Sequence, residues 1–125
     1  MTVGIGVDCT QIERIEKSMQ KPQFVQRVFA KEEQQLLASL GAKHAAETAA
    51  GCFAAKEAFL KAAGVGLGGF ALTDIAVLRQ QSGKPYYQLS GTAAAYCRQN
   101  KIMPMVSLTH EGGLAIAFAV FEAKE

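Results

Sequence analysis

The feature that most constrains this chain is the long run from about His44 to Ala63, which is crowded with alanine and stopped by Gly64. Alanine is the strongest helix former, and a glycine just past the last periodic residue is a helix terminator. Helix faces made of alanine also let neighbouring elements approach closely. Within the run, Phe53, Glu57 and Lys61 are spaced i, i+4, i+8, so an aromatic, an acid and a base share one stripe. An acid on an apolar helix is costly to bury unless a cation meets it. A second acid, Asp8, ends the short apolar segment Gly4-Ile5-Gly6-Val7, expected to be a strand packing nearby. Two carboxylates and a lysine suggest a site for a hard metal ion and a phosphate.

The pattern around the long helix gives a fold class. Residues 3–8 alternate as a strand. Thr10 and Glu13 have capping-box spacing ahead of a helical stripe of Ile12, Ile15 and Met19 that runs up to Pro22. Phe24, Val25, Val28 and Phe29 form a second short apolar face. Residues 31–40 read as a further helix, with Leu36, Leu37 and Leu40 inward and Gly41 as its stop. After Gly64 the period changes. Ile75–Leu78 and Tyr86–Leu89 are strand candidates joined across a hairpin connection at 80–85, and Ser90 is placed to cap a helix through 93–99. Met105–His110 and Leu114–Phe121 are two more strands around the turn Glu111-Gly112-Gly113. The order β-α-α-α-β-β-α-β-β predicts an α+β fold, a mainly antiparallel sheet packed against a long central helix, in a single domain over residues 1–125.

With 125 residues, half of them apolar, the chain has enough for one thin core, and oligomerisation would suit it. A formal charge of +2 gives no reason to expect nucleic acid as a partner. The charge is nonetheless uneven. Between Glu13 and Lys31 lie five bases (Arg14, Lys17, Lys21, Arg27, Lys31) and two acids (Glu13, Glu16). Such a segment suits an acidic partner, or is simply a solvated helix face. Cys9, Cys52 and Cys97 form no CxxC pair and read as small buried hydrophobes in a reducing cytosol. No signal-peptide pattern and no membrane-length apolar run is present, so a soluble cytoplasmic protein without a membrane partner is expected.

Several motifs have bland readings. Gly64-Val65-Gly66-Leu67-Gly68-Gly69 satisfies GxGxxG, but it follows a helix instead of a strand, which rejects a dinucleotide fold and leaves helix termination as its main role. Glu57 and Lys61 alone would be an ordinary i, i+4 ion pair, and Asp8 alone a helix cap. Their joint occurrence with Ser107-Leu108-Thr109-His110, where alternation puts Ser107 and Thr109 on one strand face, raises the case for an active site.

Gly4-Ile5-Gly6-Val7-Asp8, Gly51-Cys52-Phe53-Ala54-Ala55-Lys56-Glu57-Ala58-Phe59-Leu60-Lys61-Ala62, Gly83-Lys84-Pro85-Tyr86 and Val106-Ser107-Leu108-Thr109-His110 occur in the order and approximate spacing of one family. From about Val3 to Glu122 the chain resembles bacterial holo-acyl-carrier-protein synthases, the short 4′-phosphopantetheinyl transferases. The resemblance implies Mg²⁺-dependent transfer of 4′-phosphopantetheine from coenzyme A to a serine of an apo-acyl carrier protein, releasing adenosine 3′,5′-bisphosphate. It makes Asp8 and Glu57 the Mg²⁺ ligands, which suits an ion that favours a couple of carboxylates plus phosphate and water. Glu57, directly or through a metal-held water, is the candidate to receive the serine proton, and Lys61 to contact phosphate oxygens. By the same resemblance Phe53, Gly64, Gly66, Pro85, Ser107 and His110 line the coenzyme A pocket. Arg14, Lys17, Lys21, Phe24 and Arg27 belong to the segment that receives the acidic helix of the carrier protein. The family's short members form homotrimers with the pocket between subunits.

Three positions depart from the family pattern. Cys52 stands where an arginine is common, His44 lies where a lysine is common, and Val65 replaces a frequent threonine. All three changes remove charge or polarity from the cofactor side. If the arginine holds a phosphate, its loss forfeits a charge-assisted bond worth about 1.5–3 kcal/mol. The competing reading is therefore a paralogue that binds coenzyme A or a carrier protein without transfer; the retained Asp8, Glu57 and Lys61 argue against it. A small RNA-binding domain lacks an aromatic platform pattern in this sequence.

Overall fold

The computed structural model describes residues 1–66 and 68–125. In chain order the elements are β1 (Thr2–Gln11), α1 (Ile12–Ser18), α2 (Pro22–Val28), α3 (Lys31–Ala38), α4 (Ala42–Ala63), a single 3₁₀ turn (Leu72–Asp74), β2 (Ile75–Arg79), β3 (Pro85–Leu89), α5 (Gly91–Gln99), β4 (Ile102–Glu111) and β5 (Leu114–Ala123). The expected α+β class is thus present, but four helices stand between β1 and β2 where the expected order had three, because Phe24, Val25 and Val28 belong to a short helix of their own, α2. Strands β1, β5 and β4 form one antiparallel sheet in that order, and β2 and β3 form a hairpin. Leu67 lies outside the described residues.

Helix α4 lies against the three-stranded sheet through small residues on both sides. Ala50, Ala54 and Ala58 of the helix and Ala115, Ala117 and Ala119 of β5 are all buried in one cluster. Two alanine-lined surfaces bring backbones together and leave little lateral freedom. Larger side chains fill the other flank. The Phe59 ring packs edge-on to Phe121 at 4.9 Å and to Tyr87 at 5.1 Å. Gly64 closes the helix in the left-handed region (φ 76°), its N–H and that of Val65 reaching back to the carbonyls of Lys61 and Leu60. That is the Schellman arrangement a glycine makes easy.

Four local readings need correction. Thr10 does not cap α1. Strand β1 runs on to Gln11 because Thr10 and Gln11 still pair with Ala115 and Leu114, and the Thr10 hydroxyl turns to Asp8. Gly41 does not stop α3 but holds the N-cap position of α4, in an extended conformation any residue adopts. Ser90 occupies the N-cap of α5 without capping it; its hydroxyl meets Asp74 at 3.2 Å. Cys9 is exposed, because odd-numbered residues of β1 face away from α4, whereas Cys52 and Cys97 are buried.

That outward face is apolar. Val3, Ile5 and Val7 of β1, Phe118 of β5, and Met103 and Met105 of β4 are exposed on the side of the sheet opposite α4. Among the described residues no helix is long and apolar enough to cross a membrane.

Candidate active site

Strand alternation puts Gly4, Gly6 and Asp8 on the face of β1 that meets α4. A Cβ on Gly4 would drive into the carbonyl oxygen of Ala62, and one on Gly6 into that of Ala58. The two glycines therefore let the strand backbone rest directly on the helix, one helical turn apart. The next residue on that face is Asp8, which is delivered beside the middle of the helix.

There Lys61 extends back along the strand. Its ammonium lies 3.1 Å from Asp8 Oδ1 and donates to the Val7 carbonyl at 2.9 Å. The Thr10 hydroxyl donates to Asp8 Oδ2 at 2.7 Å. Both carboxylate oxygens are thereby oriented, with the Asp8 side chain only 16 % exposed and that of Lys61 54 %. Glu57, one turn before Lys61, completes the corner. Burial pushes its carboxyl above the usual range, the charge of Asp8 adds to this, and Lys61 opposes it. Two carboxylates, one raising the proton affinity of the other, beside a single ammonium form an arrangement that a divalent cation would relieve.

The remaining predicted pocket residues are not all brought to this corner. Gly64 ends α4 just beyond Lys61, and Gly66 follows it. Phe53 is half-buried and its ring packs on Phe24 at 6.2 Å, so Phe24 is turned partly inward, onto Phe53 and Phe29, rather than presented fully to a partner. Asp8 pairs with Ala117, which pairs with Leu108 on β4, so His110 lies two strands away, roughly 10 Å or more across the sheet. Ser107 and His110 fall on opposite faces of β4: Ser107 is on the outward face, while His110 lines a cleft of about 390 Å³ with His44, Thr48, Gly51 and Arg79. Pro85 opens β3 directly opposite Arg79. One chain thus carries an acidic corner at one edge of the sheet and, at the other, a polar cleft whose charged groups are Arg79 and Glu47.

The family model for the 4′-phosphopantetheinyl transferase superfamily matches residues 4–119. The chain belongs to this superfamily. It is 39% identical to the holo-[acyl-carrier-protein] synthase of Treponema denticola over 123 residues, 98% of this chain and 99% of the relative. It is 40% identical to that of Clostridium beijerinckii over 124 residues, 98% and 99% of the two chains. Among solved structures it resembles the Bacillus anthracis holo-(acyl-carrier-protein) synthase in complex with CoA (3′,5′-ADP), with a TM-score of 0.85, 33% identity and 99% of each chain covered. The Helicobacter pylori synthase in complex with coenzyme A aligns with a TM-score of 0.78, 33% identity, and 94% and 99% of the two chains covered.

For a phosphopantetheinyl transferase, the two features that sequence reasoning passed over are instructive. Lys56 and Glu33 form a fully buried ion pair at 2.7 Å. Lys56 also donates to the carbonyls of Leu72 (2.9 Å) and Ile75 (2.7 Å), while Glu33 accepts from the N–H groups of Ala30 and Val77. Burial pulls the Lys56 ammonium below the ordinary lysine range, and Glu33 pulls it back. This network fastens α3, α4 and β2 together directly behind Glu57. Its one sequence signal was a lysine inside an alanine-rich helix. The second feature is Arg79, at the exposed end of β2, which no sequence motif singled out.

Proposed function

We propose that the chain, acting as one domain over residues 1–125, transfers 4′-phosphopantetheine from coenzyme A to a serine hydroxyl of an apo-acyl carrier protein and releases adenosine 3′,5′-bisphosphate. The observation that carries this reading is the convergence of Asp8, Glu57 and Lys61 where β1 rests on α4. The serine oxygen forms a bond to the phosphorus bearing the pantetheine arm, and the bond from that phosphorus to the nucleotide's 5′-phosphate breaks. The serine proton passes to Glu57, whose raised proton affinity suits a general base. Lys61, held in place by the Val7 carbonyl, offers its ammonium to phosphate oxygens. The hard oxygens of Asp8 and Glu57 fit Mg²⁺, which when bound supplies positive charge against the pyrophosphate.

The reading extends to assembly. The apolar outward face of β1, β5 and β4 suits burial between copies, and a homotrimer would set the acidic corner of one subunit against the Arg79 cleft of the next. Exposed Arg14, Lys17, Lys21 and Arg27 on and between α1 and α2 offer an acidic carrier helix its docking charge, Lys17 being shared with Glu13 at 3.4 Å. Action in the cytoplasm, in fatty-acid synthesis, agrees with the three free cysteines and the family's substrates. The test is incubation with coenzyme A, Mg²⁺ and an apo-carrier protein: intact mass should rise by one phosphopantetheine, and an unchanged mass would refute the reading.

A further inference from the structure

The cleft beyond α4 answers the question raised by Cys52. The thiol is 1 % exposed, and its Sγ lies 3.7 Å from the Val77 carbonyl, so this position faces the wall between α4 and β2. Val77 and Arg79 share a face of β2, and Arg79 is where that face leaves the core. Its side chain then lines the cleft beside Gly51, the helix residue immediately before Cys52. Burial pushes the Cys52 thiol up to about 12, Glu33 adding to the shift and Lys56 and Arg79 opposing it, so the guanidinium is near the position where the family resemblance led us to expect an arginine. Among the described residues Arg79 takes part in no salt bridge and no side-chain hydrogen bond, although Glu47 lines the same cleft. Its five donors are free for a ligand, and Thr48, His44 and His110 surround it with further polar groups.

We infer that Arg79, reaching in from strand β2, grips the ribose 3′-phosphate of coenzyme A in place of a helix arginine and sets the enzyme's preference for coenzyme A over 3′-dephospho-coenzyme A. The inference rests on the transferase reading above. The pyrophosphate belongs to the corner of Asp8, Glu57 and Lys61, and the cleft of Arg79 lies at the opposite edge of the sheet. A cationic group there meets a different phosphate, and coenzyme A carries one other, on the ribose. Arginine suits it because its planar fork binds a phosphate through two parallel hydrogen bonds. The register also pairs Arg79 with Pro85, one of the residues that the family resemblance puts in the coenzyme A pocket.

Titration calorimetry with the intact protein, using coenzyme A and 3′-dephospho-coenzyme A, separates the outcomes without requiring turnover. Arg79→Gln, at an exposed strand end where folding is not at stake, should weaken coenzyme A about 10- to 100-fold, the worth of a charge-assisted hydrogen bond. Affinity for the dephospho compound should stay where it was, and Arg79→Lys should recover part of the loss. Equal weakening of both ligands would assign Arg79 to the pyrophosphate and overturn the inference; so would no weakening of either. A wild-type protein that binds coenzyme A in this pattern yet leaves an apo-carrier unmodified would sink the transferase reading while leaving the role of Arg79 intact.

Discussion

Helix α4 is bordered by backbone on one side and by side chains on the other. Toward β1 it meets Gly4 and Gly6, and nothing intervenes between strand and helix. Toward β2 and β3 it sends Cys52, Lys56 and Phe59 into a wall of long or polar groups. Both borders end in charge, the first at Asp8 and Glu57, the second at Arg79. The difference lies in how each charged group is placed. Asp8 is fixed by main-chain contact and therefore by register, whereas Arg79 hangs from a strand end and reaches its position through its own side chain. The first border suits chemistry that needs atoms set within fractions of an ångström, and the second suits a phosphate grip that a flexible stem can make.

Four substitutions test that division, from the largest effect to the smallest. Glu57→Gln keeps size and removes charge; it should lower kcat by about 10²–10⁴-fold with an unchanged melting temperature, and near-normal turnover would remove Glu57 from the chemistry. Lys56→Ala strikes the side-chain border, stranding Glu33 without its cation. It should cost about 3–5 kcal/mol, read as a melting temperature lower by roughly 12–20 °C. Gly6→Ala strikes the main-chain border, where even a methyl group meets the Ala58 carbonyl. A loss of about 1–3 kcal/mol together with a fall in kcat is expected, because lifting the strand also displaces Asp8. Lost stability with full turnover would separate the two. Arg14→Glu touches neither border and should weaken carrier binding by about tenfold or less, more at low salt, with coenzyme A affinity unchanged. Equal carrier affinity in a titration would end the docking assignment.

The main-chain border was largely legible in the sequence. Glycines alternating along a strand that ends in Asp8, and an alanine-rich helix with Glu57 and Lys61 one turn apart, are local patterns with few structural solutions. The other border was not. Glu33 and Lys56 lie 23 residues apart, and no periodicity links them. Arg79 was not singled out, because nothing near it in the sequence links a strand-end arginine to Thr48 and Gly51 of the helix, with which it lines a cleft. Thr10 was misread because capping-box spacing says nothing of how far a strand partner holds the chain extended. Ser107 and His110 differ by three in number, so alternation already placed them on opposite faces, a consequence that grouping them by motif concealed.

The notches at positions 4 and 6 also limit how such a chain can change over time. Any side chain there pries the strand from its helix, so drift at that seam is closed off whatever happens elsewhere. The far cleft has no comparable lock: Arg79 hangs from an exposed strand end, where a different side chain would meet no backbone. A group hung that way is free to change, residue by residue, around a seam that has almost nowhere to go.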